Sequence, residues 1–232
     1  MEYAIYIAAV AAIMLAVYSQ IKVSSTFNKY SSFITFEGKT GAQIAREMLD
    51  HNGLYHVRIE RVRGHLSDHY DPRSEVLRLS DGVYDSTSVS AVGVATHEAG
   101  HAIQHSVGYF PLRLRSKLVP ITGFASKFSW VIIILGSLLM MADGILGYYL
   151  MLFGTGLFAV TTLFQLVTLP CEFNASARAM SSLRKTGYYS ANELAASRRV
   201  LSAAAFTYVA TTLVSLLQLL RLIVRLTGNR RQ

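Results

Sequence analysis

Four long apolar runs along the chain predict four membrane-spanning helices. Tyr3–Ile21 is uncharged, Leu118–Ala142 is interrupted only by Lys127, and Gly144–Cys171 and Val200–Leu220 are uncharged. A helix needs about 20 predominantly apolar residues to cross a hydrocarbon core about 30 Å thick. All four runs are close to that length or longer, so the pattern predicts an α-helical membrane protein.

The first run has a second interpretation, as a signal peptide that is removed after export. Such a peptide begins with basic residues and ends in a cleavage site of small residues. Met1 and Glu2 supply no basic residue, and Ser19, Gln20 and Ile21 make a poor cleavage site. We therefore expect this segment to remain as an anchor.

The composition is that of a membrane protein with a water-facing part. Of 232 residues, 52% are hydrophobic and 16% are charged, which is too apolar for an ordinary soluble protein. Most of the charged residues lie between Lys22 and Lys117. This distribution excludes a plain soluble globule and also a compact channel made of spans alone. The single cysteine, Cys171, excludes a disulfide framework within the chain.

Between the first two spans, the pattern predicts a small α+β domain. A helix is expected over residues 40–50, with a capping box formed by Thr40 and Gln43. Period-two alternation in residues 57–60 and again in residues 77–79 predicts the two strands of a β-hairpin.

A second helix of this domain is expected to begin near Asp85 or Ser86 and to run to about Gln104. The expected fold class is therefore a membrane α-helical protein with about four transmembrane helices and a small α+β domain.

This second helix carries the sequence His97-Glu98-Ala99-Gly100-His101. Two histidines four residues apart lie on one helical face about 6 Å apart, so both imidazoles can reach one ion, for which Zn²⁺ is the expected metal. Glu98 is rotated by about 100° and can instead accept the proton of a water on the metal. A surface helix that carries these residues by chance is the alternative, but the small and apolar residues 89–95 indicate a packed helix.

A catalytic zinc needs a third protein ligand and an open fourth position. The extended motif with a third histidine is absent, because Gln104 and Val107 stand where it requires glycine and histidine. His105 is about 12 Å from His97 along an intact helix, which is too far for one ion. The third ligand must therefore come from another part of the chain.

Glu172 is the expected third ligand. It directly follows the uncharged run Gly144–Cys171, and a carboxylate at a membrane boundary is costly unless it is used or paired. The alternatives are that Glu172 forms an ion pair with Arg178 or that its side chain snorkels to the membrane surface.

Three segments carry a family resemblance: VGVATHEAGH at residues 92–101, LPCEFNAS at residues 169–176 and GHLSDHYDP at residues 64–72. Together they resemble the neutral zinc metallopeptidases of the bacterial YugP-like membrane family, over nearly the whole chain. The resemblance implies a gluzincin-type membrane peptidase with a zincin-like catalytic domain. It also implies four functional residues, namely the zinc ligands His97, His101 and Glu172 and the catalytic base Glu98.

The Glu172 segment is more distantly similar to the HtpX and Ste24 membrane peptidases, which have an aspartate where this chain has Ser176. A zinc-bound histidine is normally oriented through its other ring nitrogen, so we expect Asn174 or Ser176 to take this role. His69 and Tyr188 are candidates for binding substrate or stabilising an oxyanion, although a polar loop tip is the simpler interpretation of His69. Segment Glu75–Ser80 is predicted as an edge strand to which an extended substrate would add.

The predicted organisation has seven segments. They are transmembrane helices at 1–21, 118–142, 144–171 and 200–225, a catalytic domain at 22–117, a third-ligand segment and helix at 172–199, and a basic tail at 226–232.

Four crossings place 22–117 and 172–199 on one side of the membrane, with 17 of the 22 Lys and Arg residues. Positive charge near span ends favours the cytoplasm, so we expect a cytoplasmic catalytic domain in an integral protein of the bacterial cell membrane. Four arginines on the opposite side run against this rule: Arg221, Arg225, Arg230 and Arg231.

These observations predict a membrane-bound zinc endopeptidase that hydrolyses peptide bonds of membrane or membrane-associated proteins. The formal net charge of +8 indicates anchoring to the lipid bilayer rather than nucleic-acid binding, because no basic stripe is interleaved with aromatic residues. The alternative class is a non-catalytic zinc-binding membrane protein, either a pseudo-peptidase scaffold or a transporter. A transporter is disfavoured because Lys127 is the only charged residue inside the four apolar runs.

Overall fold

The computed structural model describes residues 2–142 and 144–228, which form seven helices and three strands. In chain order they are α1 (Glu2–Ser31), α2 (Gly41–His51), β1 (Arg58–Val62), β2 (His69–Asp71), β3 (Val76–Ser80), α3 (Asp81–Tyr84), α4 (Val89–Ser106), α5 (Phe110–Leu139), α6 (Gly144–Thr186) and α7 (Ala191–Gly228).

Four helices are long and apolar enough to cross a membrane: Ile7–Ser31 of α1, and α5, α6 and α7. The predicted mostly helical architecture, with four candidate spans and a small sheet, is confirmed for the described residues. Helix α6 has 43 residues and continues unbroken through Pro170 and beyond Glu172. At 1.5 Å per residue it is about 65 Å long, roughly twice the thickness of a hydrocarbon core. One end of α6 therefore extends beyond what a single crossing requires.

The chain divides into two compact units. Unit 1 comprises Met1–Tyr18, Leu114–Leu169 and Tyr208–Gln232, and unit 2 comprises Ser19–Arg113 and Pro170–Thr207. In unit 1, glycines allow α5 and α6 to approach closely, since a Cβ atom on Gly136 would lie 2.5 Å from the backbone nitrogen of Met151.

The sheet of unit 2 has the strand order β1-β3-β2. Strand β1 pairs with β3 in parallel, and β2 pairs with β3 antiparallel. The predicted hairpin of residues 57–60 and 77–79 is therefore wrong, because alternation reveals the period of a strand but not its direction. The prediction that Glu75–Ser80 forms an edge strand is also wrong, since β3 is central and β2 forms one of the edges.

Helices α2 and α4 pack in the main core of unit 2, together with β3. The capping box of α2 is confirmed, with Gln43 N donating to Thr40 Oγ1 at 3.2 Å and Thr40 N donating to Gln43 Oε1 at 2.9 Å. Helix α4 begins later than predicted, with Ser88 as its N-cap, because the short helix α3 occupies residues 81–84. Most of α4 is buried, so the side chains on it are held in place from several directions.

Candidate active site

Helices α4 and α6 together supply one cluster of metal-binding groups. His97 and His101 lie one turn apart on α4, and Glu172 lies on α6. One ligand atom from each residue lies within 4.8 Å of the other two, and no other His, Cys, Asp or Glu group among the described residues has this geometry. Glu172 Oε2 is 3.2 Å from His97 Nε2 and 3.7 Å from His101 Nε2.

Because the cluster is buried, an ionised carboxylate in it loses hydration. Glu172 is 2% exposed and His101 is 7% exposed. A buried carboxylate is stable only when a cation or several hydrogen-bond donors compensate for lost hydration. Arg178 Nε donates to Asn174 Oδ1 at 2.8 Å, whereas the carboxylate oxygen of Glu172 is within 4 Å of both imidazoles. This arrangement suits a divalent cation.

Gly100, inside the His-Glu-x-x-His motif, permits the close contact between α4 and α6. A Cβ atom at this position would lie 2.7 Å from the carbonyl oxygen of Ala175 and 3.2 Å from its Cα. A larger residue would therefore push apart the two helices that carry the ligand atoms.

A chain of hydrogen bonds fixes the tautomer of His101. Arg178 can only donate, so the atom that it contacts on Asn174 is the amide oxygen. Gln104 Nε2 donates to that oxygen at 3.0 Å and to the carbonyl of Cys171 at 2.8 Å. Its Oε1 therefore faces His101 Nδ1, at 2.9 Å, and the proton of His101 lies on Nδ1. The Nε2 lone pair is left to bind a metal.

The second histidine is held by a residue of α6. His97 Nδ1 is 3.1 Å from Ser176 Oγ, so the hydroxyl of Ser176 is within hydrogen-bond distance of this ring nitrogen. Each histidine thus has one ring nitrogen bonded within the protein and one directed at the cluster. Two imidazole nitrogens and a carboxylate oxygen are a ligand set that Zn²⁺ takes in catalytic sites, so the residues fit zinc.

Glu98 lies beside the cluster and is held by strand β2. Its Oε2 accepts a hydrogen bond from the backbone N–H of Tyr70 at 3.0 Å. Burial raises the pKa of Glu98 to about 7, and the charges of Glu172 and Asp68 act in the same direction, whereas His97 and the Tyr70 N–H lower it.

The remaining candidates lie elsewhere in unit 2. His105 Nδ1 is 2.9 Å from the hydroxyl of Tyr70, so this histidine contacts β2 rather than the ligand cluster. His69 Nδ1 is 2.8 Å from the carbonyl oxygen of Ser67, and its side chain is exposed. The ring of Tyr188 lies 4.4 Å from Lys39 Nζ. The roles of His69 and Tyr188 in binding substrate or stabilising an oxyanion stay predictions.

The chain is similar to known proteins over almost its whole length. A family model described as "Putative neutral zinc metallopeptidase" matches residues 5–227. The chain belongs to this family. It is also 46% identical over 221 residues to "Putative membrane protease YugP" of Bacillus subtilis (strain 168), which covers 95% of this chain and 96% of that protein. No solved structure matches the chain.

Family membership confirms two of the predictions from sequence, the family itself and Zn²⁺ as the cofactor. The family is described as one of zinc metallopeptidases, a class that acts on proteins or peptides, and the chain has four helices long and apolar enough to cross a membrane.

Proposed function

We propose that the protein is a membrane-bound zinc endopeptidase that cleaves membrane or membrane-associated proteins. The observation that carries this proposal is the convergence of His97 Nε2, His101 Nε2 and Glu172 Oε2 within 4.8 Å of one another, beside the carboxylate of Glu98. Three protein ligands and an adjacent carboxylate are the components that zinc-dependent peptide hydrolysis requires.

His97, His101 and Glu172 hold the metal, and Glu98 acts as the general base. Zinc, when bound, polarises a carbonyl group and makes a water molecule acidic enough to attack at neutral pH. Glu98 accepts the proton of the attacking water as the water oxygen bonds to the peptide carbon. It then delivers that proton to the amine nitrogen as the C–N bond breaks. The Tyr70 N–H keeps the carboxylate in place for both transfers.

An extended substrate can bind along β2. This strand is at an edge of the sheet, and the backbone of its central residue, Tyr70, contacts Glu98 directly. Peptides commonly bind by adding a strand to such an edge, where main-chain hydrogen bonds hold them in extended form. Because the Tyr70 N–H is bonded to Glu98, a peptide added here would bond to other main-chain groups of this edge, with a peptide bond beside the proposed base.

Substrates associated with the membrane fit the position of Glu172 in the chain. This ligand directly follows the uncharged run Gly144–Cys171, and Arg113 and Lys117 closely follow α4. The site therefore lies near a membrane surface, which we propose to be the cytoplasmic one because most basic residues share that side.

The role of Glu98 is tested by comparing the unmodified protein with Glu98→Gln on an unstructured protein substrate. The amide keeps the shape of the side chain but cannot accept the proton, so we expect cleavage to fall by about 10²–10⁴-fold while bound zinc remains stoichiometric. Glu75→Gln, an acidic residue of the same domain, is the matched control and should retain activity. Equal cleavage by Glu98→Gln and by the unmodified protein would refute the proposal. If both proteins bind zinc and neither cleaves the substrate, the protein is a non-catalytic scaffold.

The role of Glu172 is tested by the metal content of Glu172→Ala. Two histidines alone bind zinc much more weakly than three ligands, so most of the metal should be lost during purification. Stoichiometric zinc in this variant, measured by atomic emission, would exclude Glu172 as a ligand.

A further inference from the structure

A basic groove lies between α1 and α7 within unit 2. It has a volume of about 640 Å³. Four basic side chains line it, Lys22 and Lys29 from α1 and Arg198 and Arg199 from α7, and all four are exposed. The other lining residues are neutral, and the hydroxyl groups of Thr26 and Ser202 are among them.

No acidic residue lines this groove. The acidic residue of α7, Glu193, instead accepts hydrogen bonds from the backbone nitrogens of Phe36 and Ser190, both at 2.7 Å. Four like charges gathered around one groove repel one another, and an anion in the groove would relieve that repulsion.

Aromatic side chains contact two of the cations, Arg199 and Lys22. Arg199 Nη1 donates to the hydroxyl of Tyr30 at 3.0 Å, and Tyr30 is buried. Lys22 Nζ lies 5.5 Å from the ring centre of Phe206, a cation–π distance. A binding group that is already fixed loses less conformational entropy when a ligand arrives.

The groove lies at the boundary of the uncharged run in each helix. Lys22 is the first charged residue after the uncharged run of α1, and Arg198 and Arg199 are the last charged residues before the uncharged run Val200–Leu220 of α7. The pairs Lys22–Phe206 and Tyr30–Arg199 show that the two helices run in opposite directions here. Basic groups of both helices therefore lie at the level of lipid headgroups when the apolar runs occupy the hydrocarbon core.

We propose that this groove binds the phosphate group of an anionic glycerophospholipid. The phosphate would contact the lysines and arginines, and the acyl chains would extend into the surrounding hydrocarbon core. Basic pockets between transmembrane helices recognise anionic headgroups in this way. The inference is independent of the zinc site, because no lining residue belongs to the cluster of His97, His101 and Glu172.

The experiment measures lipid binding to the full-length protein in a neutral detergent by native mass spectrometry. Phosphatidylglycerol and phosphatidylcholine with identical acyl chains are the two probes. We expect phosphatidylglycerol to bind at least about tenfold more tightly than phosphatidylcholine. Both headgroups carry a phosphate, but the choline cation beside it makes the phosphatidylcholine headgroup neutral overall. Equal binding of the two lipids would overturn the proposal.

The double variant Lys29→Gln/Arg198→Gln tests the location of the site. Each basic group near an anionic headgroup contributes a factor of about five, so the affinity for phosphatidylglycerol should fall about 25-fold. The control Arg113→Gln/Lys117→Gln removes two charges near the start of α5 and should change the affinity less than about twofold. Equal losses in the two double variants would overturn the assignment to this groove.

Free phosphate is distinguished from lipid by competition. Glycerol 3-phosphate in large molar excess offers the same phosphate chemistry without acyl chains, and it should leave most of the phosphatidylglycerol bound. Complete displacement would mean that the groove recognises a soluble phosphate rather than a lipid. Zinc content and circular dichroism of each variant verify that the protein is folded.

Discussion

His101 can bind a metal through Nε2 only when its own proton lies on Nδ1, and Gln104 imposes this tautomer. The amide of Gln104 cannot turn over, because Asn174 and the carbonyl of Cys171 both accept from its nitrogen. From the sequence alone, Gln104 is only the residue that stands where the extended motif has a glycine. Its role depends on α6, about 70 residues further along the chain, so no local pattern could reveal it.

Replacing Gln104 by methionine should therefore weaken zinc binding without removing a ligand. Methionine fills a similar volume but offers no strong acceptor to His101 Nδ1, and loss of such a supporting hydrogen bond typically costs 10–100-fold in metal affinity. Zinc affinity is measured by competition with a chelator of known strength. Ser106→Ala, on the same helix, removes a hydroxyl that bonds only locally to Ile103 and should leave the affinity unchanged. Similar affinities for Gln104→Met and Ser106→Ala would contradict this role.

Asp71 at the end of β2 should make part of the stability of unit 2 dependent on pH. Hydrogen bonds from Ser74 Oγ at 2.6 Å and from Arg73 N at 3.0 Å lower the pKa of Asp71 to about 2, and Arg78 acts in the same direction. Because the pKa is lower in the folded state than in the unfolded state, the ionised carboxylate stabilises the fold above about pH 4. That contribution is lost as the pH falls from about 4 to about 2.

Asp71→Asn should consequently lower the free energy of unfolding by about 1 kcal/mol at pH 7, a value reduced because the side chain is partly exposed to water. The difference from the unmodified protein should shrink as the pH approaches 2. Thermal unfolding followed by circular dichroism over this pH range measures it. A difference that is the same at every pH would show that the charge of Asp71 is not its cause.

At the scale of secondary structure, the contact between α4 and α6 creates the site. The sequence indicated both helices, and it placed the histidines on one face of α4 and Glu172 near the end of an apolar run. It did not indicate how closely the helices approach, because that distance depends on a backbone contact between Gly100 and Ala175. A single glycine within a motif forms no periodic pattern, so the sequence alone does not predict such a contact.

Gly100→Ala should therefore disturb the site far more than the same substitution elsewhere in α4. The new Cβ would lie 2.7 Å from the Ala175 carbonyl, which must move, and overpacking of this kind costs about 1–3 kcal/mol. We expect lower thermal stability together with weaker zinc binding. Gly93→Ala is the matched control, because its Cβ would meet its nearest neighbour, Ser197, at 3.9 Å, and alanine is favoured over glycine in helices by up to about 1 kcal/mol. Equal effects of the two substitutions would argue against a tight contact at Gly100.

The sheet shows which features of secondary structure are not predicted by the sequence pattern. Two alternating segments were predicted correctly as strands, but they pair in parallel as β1 and β3. The intervening strand β2 has only three residues, all polar or amphipathic, and the alternation that predicts the other two strands does not include it. This short strand nevertheless supplies the N–H that holds Glu98. Strands of this length lack enough positions to show a period.

At the scale of the whole molecule, the distribution of charge determines the proposed orientation. An even number of spans places both ends of the chain on the same side, opposite the domain that carries most of the basic residues. Arg221 and Arg225 lie on α7 beyond its uncharged run and favour the opposite orientation. The larger number of basic residues near span ends on the domain side should outweigh them, because orientation follows the overall bias in Lys and Arg.

Labelling of single cysteines in intact cells tests this orientation. The natural cysteine, Cys171, is buried and is first replaced by alanine. Tyr55→Cys then places a thiol at an exposed position of the domain, and Thr227→Cys places one at an exposed position near the end of α7. A membrane-impermeant maleimide should label Thr227→Cys in intact cells and Tyr55→Cys only after the membrane is opened. The reverse pattern would place the zinc site outside the cell, and labelling of both thiols in intact cells would contradict four crossings, because an even number of spans keeps the domain and the chain ends on opposite sides.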